Sequence, residues 1–253
     1  NGFPSMAESL EPIVAIHQAT RDVLAAKGYR MTGVADEGGW GPALVRNETA
    51  LEVLTQVLAD LNYQDRFSIA IDVAASHFYR GGLYHLTSEN RSLGQEQLVQ
   101  MLGEWCARYR ITSIEDGLAE DDWEGWELLT KSLGDKVQLI GDDLFTTHPG
   151  RLRHGIYRGL ANAVLVKMNQ IGTLTETFEV VRMAREAKYR VIVSARSGET
   201  EDSFLADLAV ACGADQIKIG SITRSERLAK YNRLLEIENG GFPPDRLLTR
   251  AAL

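Results

Sequence analysis

The stretch VIVSARSGETEDSFLADLAVACG, Val191 to Gly213, holds two periodicities in succession. Val191 to Val193 form a short apolar run of Val and Ile, and after Glu201 the apolar residues recur at helical spacing. The segment therefore reads as a strand feeding a helix. Between the two lies a charged turn, Arg196-Ser197-Gly198 followed by acids. The same unit recurs outward along the chain. Strand candidates are FSIAIDVAA (67–75), ITSIED (111–116), VQLIGDD (137–143), AVLVKMN (163–169), RVIVSAR (190–196) and QIKIG (216–220). Segments of helical spacing such as GQEQLVQMLGEWCARY, DDWEGWELLTKSLG, TLTETFEVVRMAREAK and SERLAKYNRLLEIE lie between and after them. Apolar strands alternating with amphipathic helices predict an α/β fold with a helix-covered parallel sheet. Six regular units favour a (β/α) barrel over an open doubly wound sheet.

The first 66 residues differ. MAESLEPIVAIHQATRDVLAAKG and ETALEVLTQVLADLNY are consecutive helix candidates without a clear strand between them, and Pro12 is expected to restart or kink the first. No stretch rich in Pro, Gly or Ser separates domains, so residues 1–253 are read as one domain. At 253 residues, with 44% hydrophobic and 25% charged residues, the chain can bury a sizeable core. A net charge of -8 with no basic stripe speaks against nucleic acid and anionic membrane as partners, while a local basic pocket can still receive a small anion. No apolar run reaches the roughly 18 residues of a membrane span. Cys106 and Cys212 lie in apolar helical patterns and read as buried reduced thiols, which suits the cytoplasm. The opening NGFPSMAESL carries neither a signal-peptide pattern nor an initiator Met, and the chain is expected to be a fragment.

Asp72, Glu115 and Asp142 each end an apolar run. In a parallel barrel these ends share the face where active sites form, and three hard oxygen ligands there suit Mg²⁺. A single acid at such a place is commonly a helix cap or ion-pair partner; the repetition carries the metal reading. Asp116 and Asp143 rank lower, because strand alternation turns neighbouring side chains apart. Lys167 and Lys218 interrupt apolar strands, so each is either locked in a salt bridge or depressed in pKa and available as a base. Arg196 and Ser197, before the next helix, suit a phosphate.

The stretches ADEGGW, AIDVAAS, SIEDG, GDDLFTTHP, LVKMNQIGT, RSGETEDSFLADLAV and QIKIGSITRSERLAKYNRLLEIE, in that order, resemble the enolase (phosphopyruvate hydratase) family from about Phe3 to Glu238. The resemblance implies an enolase-type TIM-like barrel, incomplete at the N-terminus, with six βα units preceded by two helices. It implies Mg²⁺-dependent interconversion of 2-phosphoglycerate and phosphoenolpyruvate in glycolysis by a cytoplasmic homo-oligomer, a dimer or larger. By that resemblance Asp72, Glu115 and Asp142 hold the metal, Lys167 is the base and Glu37 the acid for the leaving hydroxyl. Arg196 and Ser197 contact the phosphate, and Lys218 the carboxylate.

Three positions depart from the family pattern. Ala195 stands where SHRSGETED has a substrate-contacting histidine, His77 where ASEFY has glutamate, and Gly117 where SIEDP has proline. By the same resemblance, the family's N-terminal domain, its mobile loop and its first two barrel strands are expected to have no counterpart in residues 1–253. Ala195 opens two further expectations: a paralogue acting on a related phosphorylated or phosphonate hydroxy acid, or a catalytically impaired fragment.

Overall fold

A computed structural model describes residues 3–240. The chain divides into two compact units, one formed by the described residues up to Phe67 with those from Val193 onward, the other by Ser68–Ile192.

The first unit opens with α1 (Met6–Ala26) and α2 (Glu48–Asp60). Ser5 caps α1 by accepting the Glu8 N–H. Pro12 does not restart the helix: α1 continues across it as one element, and the ring, which forfeits one helical hydrogen bond, is itself buried. Leu24, Val53 and Val57 form a cluster between the two helices, with Trp40 and Leu44 packed against it.

The second unit begins with β1 (Ile69–Asp72) and continues through a small antiparallel meander, β2 (Tyr79–Arg80), β3 (Leu83–Leu86) and β4 (Arg91–Leu93). Then follow α3 (Gln95–Arg108), β5 (Ile111–Glu115), α4 (Trp123–Leu133), β6 (Gln138–Gly141), α5 (Pro149–Arg158), β7 (Ala163–Val166), the single turn α6 (Met168–Ile171) and α7 (Leu174–Glu186). β8 (Arg190–Ser194) runs over the boundary into the first unit, which ends with α8 (Phe204–Ala211), β9 (Gln216–Lys218) and α9 (Ser225–Asn239).

The six strands β1, β5, β6, β7, β8 and β9 follow one another in sequence order in the sheet. The pairs β1·β5, β5·β6 and β6·β7 are parallel. Sequential order without a reversal is the winding of a barrel sheet, whereas a doubly wound sheet changes direction at a switch point. Every residue of β6 and β7 is buried, which is why β7 reads as a continuous apolar run and β6 is apolar after Gln138. Ile140, Ala163, Leu165 and Ile192 cluster across neighbouring strands. Cys212 is buried and Cys106 half-buried, and neither is disulfide-bonded among the described residues. No helix among the described residues is long and apolar enough to cross a membrane.

Candidate functional site

In the second unit the predicted acids sit at the ends of β1, β5 and β6. Asp72 and Glu115 are register partners on β1 and β5. Glu115 is buried, and Asp72 is exposed with Oδ1 accepting the Ala74 N–H at 3.0 Å.

One residue beyond Glu115 the strand stops. Asp116 takes φ +42°, so the alternation that set it apart from its neighbours no longer applies. Its side chain bridges to the turn after β6: Oδ1 accepts the Asp142 N–H at 2.9 Å and Oδ2 the Asp143 N–H at 2.7 Å. Burial pushes the Asp116 carboxyl up to about 7. The two N–H donors hold it down, and the neighbouring Asp142 and Asp143 charges push it further up.

Asp116, Asp142 and Asp143 bring carboxylate oxygens within 4.8 Å of one another, and the first two are buried. This acidic group could hold a metal. Its donors are all carboxylate oxygens, which fit a hard divalent cation. Burial is the chief cause of the raised Asp116 pKa, and the lesser contribution from the Asp142 and Asp143 charges is the repulsion such a cation would relieve. The group shares Asp142 with the predicted set Asp72, Glu115 and Asp142 and otherwise draws on the two acids ranked lower from sequence.

Lys167 follows the last residue of β7 and reaches the same turn. Its Nζ lies 2.5 Å from Asp142 Oδ2, with both side chains largely buried. Its backbone N–H donates to the Thr147 hydroxyl at 2.9 Å, and that hydroxyl donates to Gln170 Oε1 at 3.0 Å. Thr146 and Thr147 both take positive φ, at 48° and 52°, and so turn residues 142–147 back on themselves. The Asp142–Thr147 turn thus grips Lys167 at both ends, main chain and ammonium.

The first unit carries the other predicted residues. Glu37 lies in a tight turn closed by Gly38 N–H to Ala35 carbonyl and Ala35 N–H to Gly39 carbonyl, each at 2.8 Å. Gly38 has φ +81°, and a Cβ there would meet Thr223 Oγ1 at 2.6 Å, so both conformation and space require glycine. The Gly38 carbonyl accepts from the Thr223 hydroxyl at 2.7 Å and from His17 Nε2 at 3.1 Å, while the Glu37 carbonyl accepts the Ser221 N–H at 2.7 Å.

Against this fixed turn the Ser197 hydroxyl donates to Glu37 Oε1 at 3.0 Å, so two predicted residues 160 positions apart meet. Arg196 donates its N–H to Glu199 Oε1 at 3.0 Å. Lys218, at the end of β9, accepts the Ala195 N–H on its carbonyl at 2.8 Å, and its side chain is half-buried. His77, the departure on the exposed side of the turn after β1, is exposed.

Arg227 and Lys230, two fully buried cations on α9, do not stand out from sequence alone. The signal for them is faint: a charged pair three residues apart, on one helix face, in SERLAKYN. A family model described as "Enolase, C-terminal TIM barrel domain" matches residues 1–241.

Proposed function

This chain belongs to the enolase C-terminal TIM barrel family, and from that membership we propose that it acts as a carbon–oxygen hydro-lyase. Its reaction is the reversible, Mg²⁺-dependent dehydration of 2-phosphoglycerate to phosphoenolpyruvate. One observation carries the reading: a largely buried lysine, Lys167, paired at 2.5 Å with Asp142 inside an acidic group suited to a hard cation. Asp142 is the common member of the two ligand sets, joined by Asp72 and Glu115 on the family pattern or by Asp116 and Asp143 on proximity. Bound there, Mg²⁺ supplies positive charge to a substrate carboxyl whose own charge grows during the reaction.

Lys167 takes the proton from C2 onto its side-chain nitrogen. The electron pair left on C2 spreads into the carboxyl group, where Lys218 donates to it, and then expels the C3 hydroxyl as Glu37 protonates it to water. Arg196 and Ser197 hold the phosphate through charge-assisted hydrogen bonds. The assay is the rise in ultraviolet absorbance of the enol product when Mg²⁺ and 2-phosphoglycerate are added to folded protein. No rise, with folding verified by circular dichroism, refutes the reading.

Ala195 favours a second reading, a relative acting on a related phosphorylated or phosphonate hydroxy acid. Under that reading Ala195→His improves 2-phosphoglycerate turnover at the expense of the other substrate; an unchanged ratio refutes it. A homo-oligomer, dimer or larger, belongs to the first reading and is checked by sedimentation velocity.

A further inference from the structure

We propose that Arg227 and Lys230 are positioning residues that set the Glu37 turn and the Arg196–Thr200 turn in the geometry their reaction roles need. The inference rests on the roles assigned above to Glu37, Arg196 and Ser197.

Both cations are fully buried. A buried charge is tolerated only where hydrogen bonds replace its water, and an apolar side chain would fill the same space with less desolvation. What the charge provides here is geometry. Arg227 Nη1 donates to the Arg196 carbonyl at 2.8 Å and the Ile219 carbonyl at 3.0 Å; Nη2 donates to the Ser197 carbonyl at 2.7 Å and the Asp36 carbonyl at 3.3 Å. A planar guanidinium fixes the angles between its donors, so these four carbonyls, from three separate segments, are held in one frame. Asp36 directly precedes Glu37, and Arg196 and Ser197 are themselves predicted phosphate contacts. Gly220 leaves the room this requires: at φ +116°, a Cβ would meet Arg227 Cδ at 2.8 Å and the Glu37 carbonyl oxygen at 2.9 Å.

Lys230 has a narrower reach. Its Nζ pairs with Glu199 Oε2 at 2.9 Å and donates to the Thr200 carbonyl, while Glu199 Oε1 accepts the Arg196 N–H. It holds the 196–200 turn and makes no hydrogen bond to the Glu37 turn.

That difference is the test. In the full chain with Mg²⁺ and 2-phosphoglycerate, Lys230→Met should raise KM about tenfold and leave kcat within about threefold. Arg227→Met should raise KM and also lower kcat by about tenfold or more, as expected when charged hydrogen bonds that orient an acid are lost. Should Arg227→Met not fold, Arg227→Lys carries the same expectation with a smaller change. A role in folding alone lowers the active fraction, so a fall in kcat at constant KM in both variants overturns the proposal.

If the unmodified chain turns over no 2-phosphoglycerate, the functional reading fails by itself, and amide hydrogen exchange decides the positioning role. Arg227→Lys should speed exchange about tenfold in peptides covering both 35–39 and 196–200, Lys230→Met only in 196–200. Uniform acceleration across the unit, or none, overturns it.

Discussion

Asp116→Asn isolates what one buried carboxyl does to stability. The side chain is 3% exposed and accepts the Asp142 and Asp143 N–H groups. Burial is the chief cause of its rise from the ordinary 3.8 to about 7. A raised folded pKa means that between about pH 4 and pH 7 the native state keeps a proton the unfolded chain has released. Its stabilising contribution is fully present below the unfolded value and is lost as pH rises through about 7. A displacement of about three pH units at about 1.4 kcal/mol each amounts to about 4 kcal/mol. Asparagine does not titrate; it keeps one acceptor oxygen and leaves one backbone N–H facing an amide nitrogen, at a cost of about 1–3 kcal/mol. The variant should therefore be less stable than the parent at pH 4.5 and should match or exceed it at pH 8. Urea unfolding of both proteins with chelator present, in steps across that range, measures the difference, from which all shared titrating groups cancel. A difference constant to within about 0.5 kcal/mol would refute the reasoning.

Two further substitutions test buried contacts, the second of them beside the Glu37 turn. Tyr84→Phe removes a buried hydroxyl that donates to Asp122 Oδ2 at 2.6 Å and accepts the Ala119 N–H at 3.0 Å. It should cost about 2–3 kcal/mol in chemical denaturation, because one of the two partners is a carboxylate; a loss under about 0.5 kcal/mol would count against that account. Gly220→Ala forces an L-residue to φ +116° with its Cβ against Arg227 Cδ and the Glu37 carbonyl oxygen. We expect about 1–3 kcal/mol of destabilisation by thermal melting, with a larger fractional loss of turnover than of folded protein.

The strands were legible in the sequence because burial on both faces leaves β7 without a polar position and β6 with only Gln138 at its start. The meander β2 to β4 was not, since strands of two to four residues with exposed Arg80 and Arg91 offer no period long enough to detect. Helix α5 escaped for a related reason: PGRLRHGIYR buries only Leu152 and Gly155, so its arginines mask the helical spacing. Among the site residues, Lys167 and the strand-end acids stood out as charges interrupting apolar runs. Asp116 was ranked low on strand alternation, an argument that fails once the strand stops at Glu115. Arg227 reads as a solvent-facing helix charge, and only the four carbonyls around it reveal otherwise.

The departures from the family pattern separate on the same physical ground. At Gly117 a Cβ would meet Leu129 Cδ2 at 2.9 Å, Ile114 Cγ2 at 3.2 Å and Leu102 Cδ1 at 3.4 Å. Any side chain at 117 would thus press its Cβ on three apolar side chains, and the exchange is one of packing. Ala195 has no such compensation in its main chain. Its N–H is bonded to the Lys218 carbonyl at 2.8 Å and its carbonyl accepts the Ser194 hydroxyl at 2.9 Å, through groups that any residue there would carry. A substitution that leaves the backbone anchorage intact alters what the side chain offers a substrate rather than where the strand lies. Restoring proline at 117 should therefore register in stability and restoring histidine at 195 in substrate preference, and the two effects should be separable in the same set of purified variants.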